Sequence, residues 1–302
     1  MRTTAMRRRA RTTRRRTLAG AGAATVLLAG VLTGCQSGGS DTEGEHGSHA
    51  GPRWNTAPAS VAAAGDSITR GFDACSVLAD CPEVSWATGN DPAVHSLAAR
   101  LLGEAEVPAR SWNYAVTGAR MADLAGQLAA AAEHRPDLVT VMVGSNDACR
   151  PTASSMTPVA EFRAGFEKAL AGLRAASPAS QVYVSSVPDL QRLWEQGKDA
   201  PMVRQIWKLG ICQSMLADPL SVATGATARR EQVRARVVEY NEVLREVCAK
   251  DALCRYDGGA VFQYPFSAEQ LSRWDWFHPG KDGQARLAEL AHRQVTAAEP
   301  PR

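Results

Sequence analysis

Five short apolar runs along the chain alternate with longer stretches in which apolar positions recur at helical spacing. The runs are residues 61–64, 112–116, 138–143 and 181–187, with a weaker fifth at 254–256 and the nearby Val261-Phe262. The amphipathic stretches are 95–102, 122–132, 159–175, 229–248 and 282–298. A run that is apolar at successive positions is that of a strand buried on both faces. Such strands, separated by helices, predict an α/β domain with a parallel sheet and helices on both faces. Ligands of such sheets bind beyond the carboxyl ends of the strands. Segment 189–228 fits no strand and is too long for an ordinary connection. Its apolar residues, with Trp194 and Trp207 among them, suit a lid or pocket wall over the site, or an extra helical layer on the core.

The pattern changes at the N-terminus. Residues 1–16 carry arginines at positions 2, 7, 8, 9, 11, 14, 15 and 16 and no acid, and an apolar, small-residue run follows over 18–32. A basic start, a short apolar run and small residues before a cleavage point describe a secretory signal. The run is about fifteen residues, short of the roughly 20 that span a bilayer. Leu32-Thr33-Gly34-Cys35 resembles a bacterial lipobox, so residues 1–35 are expected to be a signal with lipidation at Cys35. That places the mature protein outside the cell, anchored to the membrane by its N-terminal lipid or secreted. Arg14-Arg15-Arg16 also resembles a twin-arginine signal, and the choice of export route stays open. Removing those eight arginines takes the net charge from +3 to 3 − 8 = −5. The basic balance therefore belongs to the signal and gives no reason to expect nucleic acid as a partner. Residues 36–58 are rich in Gly, Ser, His and Glu and read as a flexible tether. Residues 59–297 are long enough for one sizeable core and are expected to form one domain, a monomer.

Seven cysteines become six once Cys35 is set aside, and an even count in an exported domain suggests disulfides. Six cysteines admit many pairings. Spacing favours Cys75 with Cys81 across a short loop and Cys248 with Cys254 across a helix-to-strand turn, which leaves Cys149 for Cys212. A zinc site is the rival, but no pair has Cys-x2-Cys spacing.

Candidate chemistry lies at the predicted strand ends. Gly65-Asp66-Ser67 follows the first run, where a serine hydroxyl would be held beside free backbone N–H groups of a helix start. Near the other end stands Trp274-Asp275-Trp276-Phe277-His278-Pro279-Gly280. A serine hydroxyl needs a base to take its proton, and a histidine serves if a carboxylate fixes its tautomer. Asp275 and His278, three apart, can share one turn. Gly118 stands just past the second run and Asn146 just past the third, where they can donate to a developing oxyanion. Asp147 and Asp66 read as structural hydrogen-bonding residues. Trp274, Trp276 and Phe277 either wall an acyl pocket together with Trp194 and Trp207, or pack in the core.

In this order and after these strands, the four segments resemble the SGNH, or GDSL-type, hydrolase family. Ser67, Gly118, Asn146 and His278 match the four residues of its name, Asp275 matches its Asp-x-x-His, and Ile68 stands where the family has Leu. The likeness covers roughly residues 59–297; Cys149, Cys212 and the Trp-rich insertion are similar to those of actinobacterial secreted esterases and lipases. The resemblance implies a three-layer α/β/α, flavodoxin-like fold and an acyl-enzyme mechanism without metal or other cofactor. Ser67, Asp275 and His278 would be catalytic, and Ser67, Gly118 and Asn146 would form the oxyanion hole. The expected substrates are carboxylic esters of short to medium acyl chains, as small molecules, lipids or glycans. Alternatives are a carbohydrate O-deacetylase, a phospholipase B-like lipase, and a surface lipoprotein that binds glycans or lipids without turnover.

Overall fold

Runs rich in Val, Ala and Leu bury every residue of three of the five strands, Val61–Gly65, Leu138–Met142 and Gln181–Val184, in a computed structural model that describes residues 53–300. The strands are β1 (Val61–Gly65), β2 (Ser111–Asn113), β3 (Leu138–Met142), β4 (Gln181–Val184) and β5 (Cys254–Tyr256). All neighbours are parallel, in the order β2-β1-β3-β4-β5. Every residue of β1 and β3 is buried, and their register runs from Val61 opposite Leu138 to Gly65 opposite Met142. The small side chains of Ala62, Ala63 and Ala64 in β1 share one core with the fully buried Trp86, Phe162 and Phe166.

The helices of six residues or more are α1 (Leu97–Leu102), α2 (Leu124–Ala132), α3 (Val159–Ala176), α4 (Leu190–Gly197), α5 (Pro201–Trp207), α6 (Thr224–Cys248) and α7 (Lys281–Thr296). Helices α2, α3 and α6 pack side by side, and α1 packs with α7. The chain moves outward from β1 to β2 and then reverses to β3, so right-handed crossovers put these two helix groups on opposite faces. The result is the expected α/β/α sandwich with a doubly wound sheet. Its order is the flavodoxin-like one, in which ligands bind where the winding reverses, beside the carboxyl end of β1.

Three expectations need correction. Val261 and Phe262 belong to a single helical turn, Ala260–Gln263, not to a strand, because Asp257 accepts from the backbone N–H groups of Gly259 and Val261 and caps that turn. The second strand ends at Asn113, although Tyr114 N–H still donates to the Ala63 carbonyl. The segment 189–228 holds α4, α5 and a further turn, Gln213–Leu216. Trp54 Nε1–H donates to the Val295 carbonyl at 2.8 Å and Asn55 exchanges backbone bonds with the Gln181 side chain. Residues 54–58, read from sequence as the end of the tether, therefore already lie on the domain. The expected signal, Cys35 and the rest of the tether up to residue 52 lie outside the described residues. Among the described residues, no helix is long and apolar enough to cross a membrane.

All three disulfides favoured by spacing are formed: Cys75–Cys81, Cys149–Cys212 and Cys248–Cys254.

Candidate active site

The turn after β1 has little freedom. Gly65 has φ +155, and a Cβ there would stand 2.3 Å from the Met142 carbonyl oxygen and 2.7 Å from Thr69 Oγ1. Only glycine fits so close to β3. The Gln127 side chain accepts from Gly65 N–H at 2.7 Å and donates to its carbonyl at 2.9 Å, beside Val116 N–H, which donates to the same carbonyl at 3.2 Å. Asp66 caps the single turn Ser67–Arg70 by accepting from Ile68 N–H at 3.0 Å. Ser67 therefore sits at the start of a turn whose first N–H groups have no helical partner. Gln284 of α7 clamps the turn from below, donating to the Ile68 carbonyl at 2.8 Å and accepting from Trp86 N–H at 2.9 Å.

Opposite it, residues 272–278 form a loop tied by its own backbone. Ser272 N–H donates to the His278 carbonyl at 2.7 Å, and Trp276, with φ +51, donates from its N–H to the Ser272 carbonyl at 2.8 Å. Asp275 is buried, and its Oδ1 accepts from Phe277 N–H at 2.9 Å and His278 N–H at 3.0 Å. Its Oδ2 lies 2.5 Å from His278 Nδ1, and His278 Nε2 lies 2.8 Å from Ser67 Oγ. One unbroken hydrogen-bond chain joins the carboxylate, the imidazole and the hydroxyl. Phe72 and Phe277 meet the imidazole edge-on, with ring centroids 5.1 and 5.3 Å away, and fix its plane.

Charge in this chain is set by burial and neighbours. Burial opposes the charged form of His278, but Asp275, then Asp66 and Asp73, outweigh it and hold its pKa above the ordinary value. Burial also opposes ionisation of Asp275, yet the facing imidazolium and the hydrogen bonds from His278 and the Phe277 backbone keep its pKa below the usual carboxylate range. The carboxylate thus stays ionised where it supports a charged imidazole.

Asn146 follows β3 in the one-turn helix Ser145–Ala148, and its Nδ2 donates to the Ala119 carbonyl at 3.0 Å. That bond uses one amide hydrogen and leaves the second. Ser67, Asn146 and His278 line a common cavity of about 240 Å³. Its remaining wall includes Leu190, Leu193, Ile211, Phe277 and the Cys149–Cys212 pair, so the insertion supplies much of it. Gly118 is not part of that wall; it is exposed on the loop after β2, with φ +84. A Cβ there would meet nothing, so the protein itself makes no close approach at Gly118. Of the aromatic residues expected around an acyl pocket, only Phe277 lines this cavity. Trp207 is buried and donates from Nε1 to the Asp275 carbonyl at 2.9 Å. Trp194 donates to the Pro219 carbonyl and lies under the Arg230 guanidinium, while Arg273 covers Trp274.

Asp147 accepts from Met121 N–H at 2.9 Å and braces the loop after β2. Two clusters among the described residues have metal-ligand spacing: Cys75, Cys81 and Glu83, and Asp73, Asp275 and His278. The first has its thiols in a disulfide, and in the second His278 Nδ1 is engaged by Asp275.

The sequence model of the GDSL-like Lipase/Acylhydrolase family matches residues 63–286, a span that contains both the turn after β1 and the loop of Asp275 and His278. The chain belongs to this family. It is accordingly an ester hydrolase, which sets aside the reading as a binding protein without turnover. Comparison with curated proteins found no match. Among solved structures, the hydrolase is similar to an extracellular lipase from Streptomyces rimosus at 19% identity, with 79% of this chain and 99% of that chain covered and a TM-score of 0.47. It is also similar to phospholipase A1 from Streptomyces albidoflavus at 18% identity, covering 80% of this chain and 100% of that one with a TM-score of 0.46.

Two features of the site had no sequence signal. Phe72 and Asp73 lie in a short mixed stretch without a readable period, and only the return of the C-terminal loop brings them against His278 and Asp275. The single available hint is that the stretch is closed at once by a cysteine pair.

Proposed function

We propose that this hydrolase cleaves carboxylic esters of short to medium acyl chain through an acyl-enzyme on Ser67, and that it does so outside the cell. The observation that carries the reading is the hydrogen-bond chain from Asp275 through His278 to Ser67 Oγ, at 2.5 and 2.8 Å. Ser67 Oγ attacks the ester carbonyl as His278 Nε2 takes its proton, and Asp275 supports the resulting imidazolium. The carbonyl oxygen becomes an oxyanion held by Ser67 N–H, Gly118 N–H and the free amide hydrogen of Asn146. Among the described residues, neither backbone N–H donates to another protein group. His278 then protonates the leaving alcohol, and activates a water for deacylation by the same route in reverse. The reaction as written needs no metal and no cofactor. Substrates would be small esters, lipids or acylated glycans that present one acyl group to the cavity. A signal over residues 1–35, a lipid on Cys35 and a tether would hold a monomeric domain at the outer face of the membrane, and three disulfides suit an oxidising compartment.

The test is Ser67→Ala with nitrophenyl esters, together with labelling by an organophosphonate and peptide mapping. Turnover should vanish, and the label should fall on Ser67 alone. Undiminished hydrolysis by the variant would sink the serine mechanism.

A further inference from the structure

Behind the Asp275–His278 pair stands a second carboxyl that the mechanism above does not use. Asp73 is 2% exposed, and an oxygen of its carboxyl, one from Asp275 and a ring nitrogen of His278 all lie within 4.8 Å of one another. Its position is built. Asp73 has φ +57, its N–H donates to the Ala79 carbonyl at 3.0 Å, and its Oδ1 accepts from Leu78 N–H. The Cys75–Cys81 disulfide closes that short loop. The Asp73 carbonyl accepts from Ser272 Oγ at 2.7 Å, and the same Oγ accepts from Trp274 N–H at 3.2 Å. The loop after the nucleophile is thus locked to the loop of Asp275 and His278. On its outer side Asp73 lines an open cleft of about 330 Å³ shared with Glu269, Arg273, Lys281 and Asp282.

We propose that Asp73 is a positioning residue that shares a hydrogen with Asp275, and that its own charge sets the pH at which His278 becomes a base. This rests on the serine mechanism proposed above. Burial, and then the neighbouring Asp275 charge, push the Asp73 pKa up to about 6. Below that pH the neutral carboxyl donates to Asp275 and draws charge away from the face that supports His278. Above it, two carboxylates lie behind the imidazole and favour its protonated form. Of the other charges nearby, Asp66 acts on His278 in the same direction. The lysine, arginine and acids of the outer cleft are common to the native protein and to the variant below.

Asp73→Asn separates this role from a packing role. Asparagine tolerates positive φ, keeps an oxygen for Leu78 N–H, and offers an amide hydrogen to Asp275, but cannot ionise. The acid limb of kcat/KM should therefore move to lower pH in the variant. Just above about pH 6, where the native Asp73 is ionised, the variant should retain a larger fraction of its plateau activity than the native enzyme, and the two should converge at lower pH. The same comparison can be made without turnover by NMR titration of the 15N-labelled His278 ring in the Ser67→Ala background. There the ring should titrate at lower pH once Asp73→Asn is added. Should the variant not fold, the ring is titrated in the Ser67→Ala/Asp66→Asn protein, where the charge of Asp66 is removed and His278 should still titrate in two steps. Superimposable normalised pH profiles, an unmoved ring titration, or a single-proton titration in the Ser67→Ala/Asp66→Asn protein would each overturn the role of Asp73. None of these bears on the serine mechanism, which stands or falls on whether Ser67→Ala loses activity.

Discussion

Two buried aspartates near Ser67, Asp275 and Asp66, meet burial with different partners, and this decides what each does with its charge. Asp275 has an imidazole and two backbone N–H groups and remains ionised. Asp66 has one backbone bond to Ile68, and its Oδ2 is buried with no partner. Burial first of all, against that single bond and the pull of His278, pushes its pKa up to about 7. A carboxyl raised in the folded state contributes stability that is complete below its unfolded value near 4 and is lost as pH rises through about 7. Asp66→Asn keeps an acceptor for Ile68 N–H and removes the buried charge. The variant should therefore gain stability over the native protein between about pH 5 and pH 8, by on the order of 1 kcal/mol or more. Urea unfolding at the two pH values checks this, and a difference independent of pH would contradict it. Asn146 has the opposite balance, with one amide hydrogen bound to Ala119 and one free. Asn146→Ala should lower kcat by roughly 10²–10³, the scale for one oxyanion donor, with folding intact. A loss under about threefold would remove it from the oxyanion hole.

At the scale of elements, the periodicity of the chain made the sheet and the long helices legible, because buried parallel strands and amphipathic helices leave opposite signatures. It failed at Val261-Phe262, where a capped turn buries Val261 and leaves Phe262 half-buried, since a run this short has no period to read. The insertion shows the same limit. Its helices α4 and α5 were not distinguishable from a pocket wall by composition. In the fold the segment serves both purposes: Leu190, Leu193 and Ile211 face the cavity, and Trp207 holds the carbonyl of Asp275. The Cys149–Cys212 bond ties it to the turn carrying Asn146 across 63 residues of sequence. Loop entropy assigns such a bond about 4 kcal/mol. Replacing both cysteines by serine should cost stability of that order and lower activity as well, because the bond forms part of the cavity wall. Chemical unfolding and ester hydrolysis measured side by side test the link. Lost stability with unchanged kcat/KM would show that the wall keeps its shape without the bond.

For the molecule as a whole, the cavity beside Ser67 would bound the substrate of the proposed reaction. At about 240 Å³ it lies at or below the small end of ligand sites and is closed by apolar side chains and a covalent staple. Each methylene of an acyl chain that enters contributes about 0.8 kcal/mol until the wall is reached. Across nitrophenyl esters of rising length, kcat/KM should climb from acetate to a short or medium optimum and then fall. The highest kcat/KM on emulsified long-chain lipid would show that the wall opens. What the sequence determined by itself was everything carried by local pattern. The strand and helix periods, the Gly65-Asp66-Ser67 turn and the Asp275–His278 spacing each depend on residues within a few positions of one another. The tertiary structure alone decided what required distant segments to meet. Ser67 and His278 are 211 residues apart, and they face each other only because the winding reverses beside β1 while the last loop returns to that edge. Asp73 shares that origin. Nothing in its neighbours along the chain marks it, since its partner lies about two hundred residues away, and only packing brings the two carboxyls together.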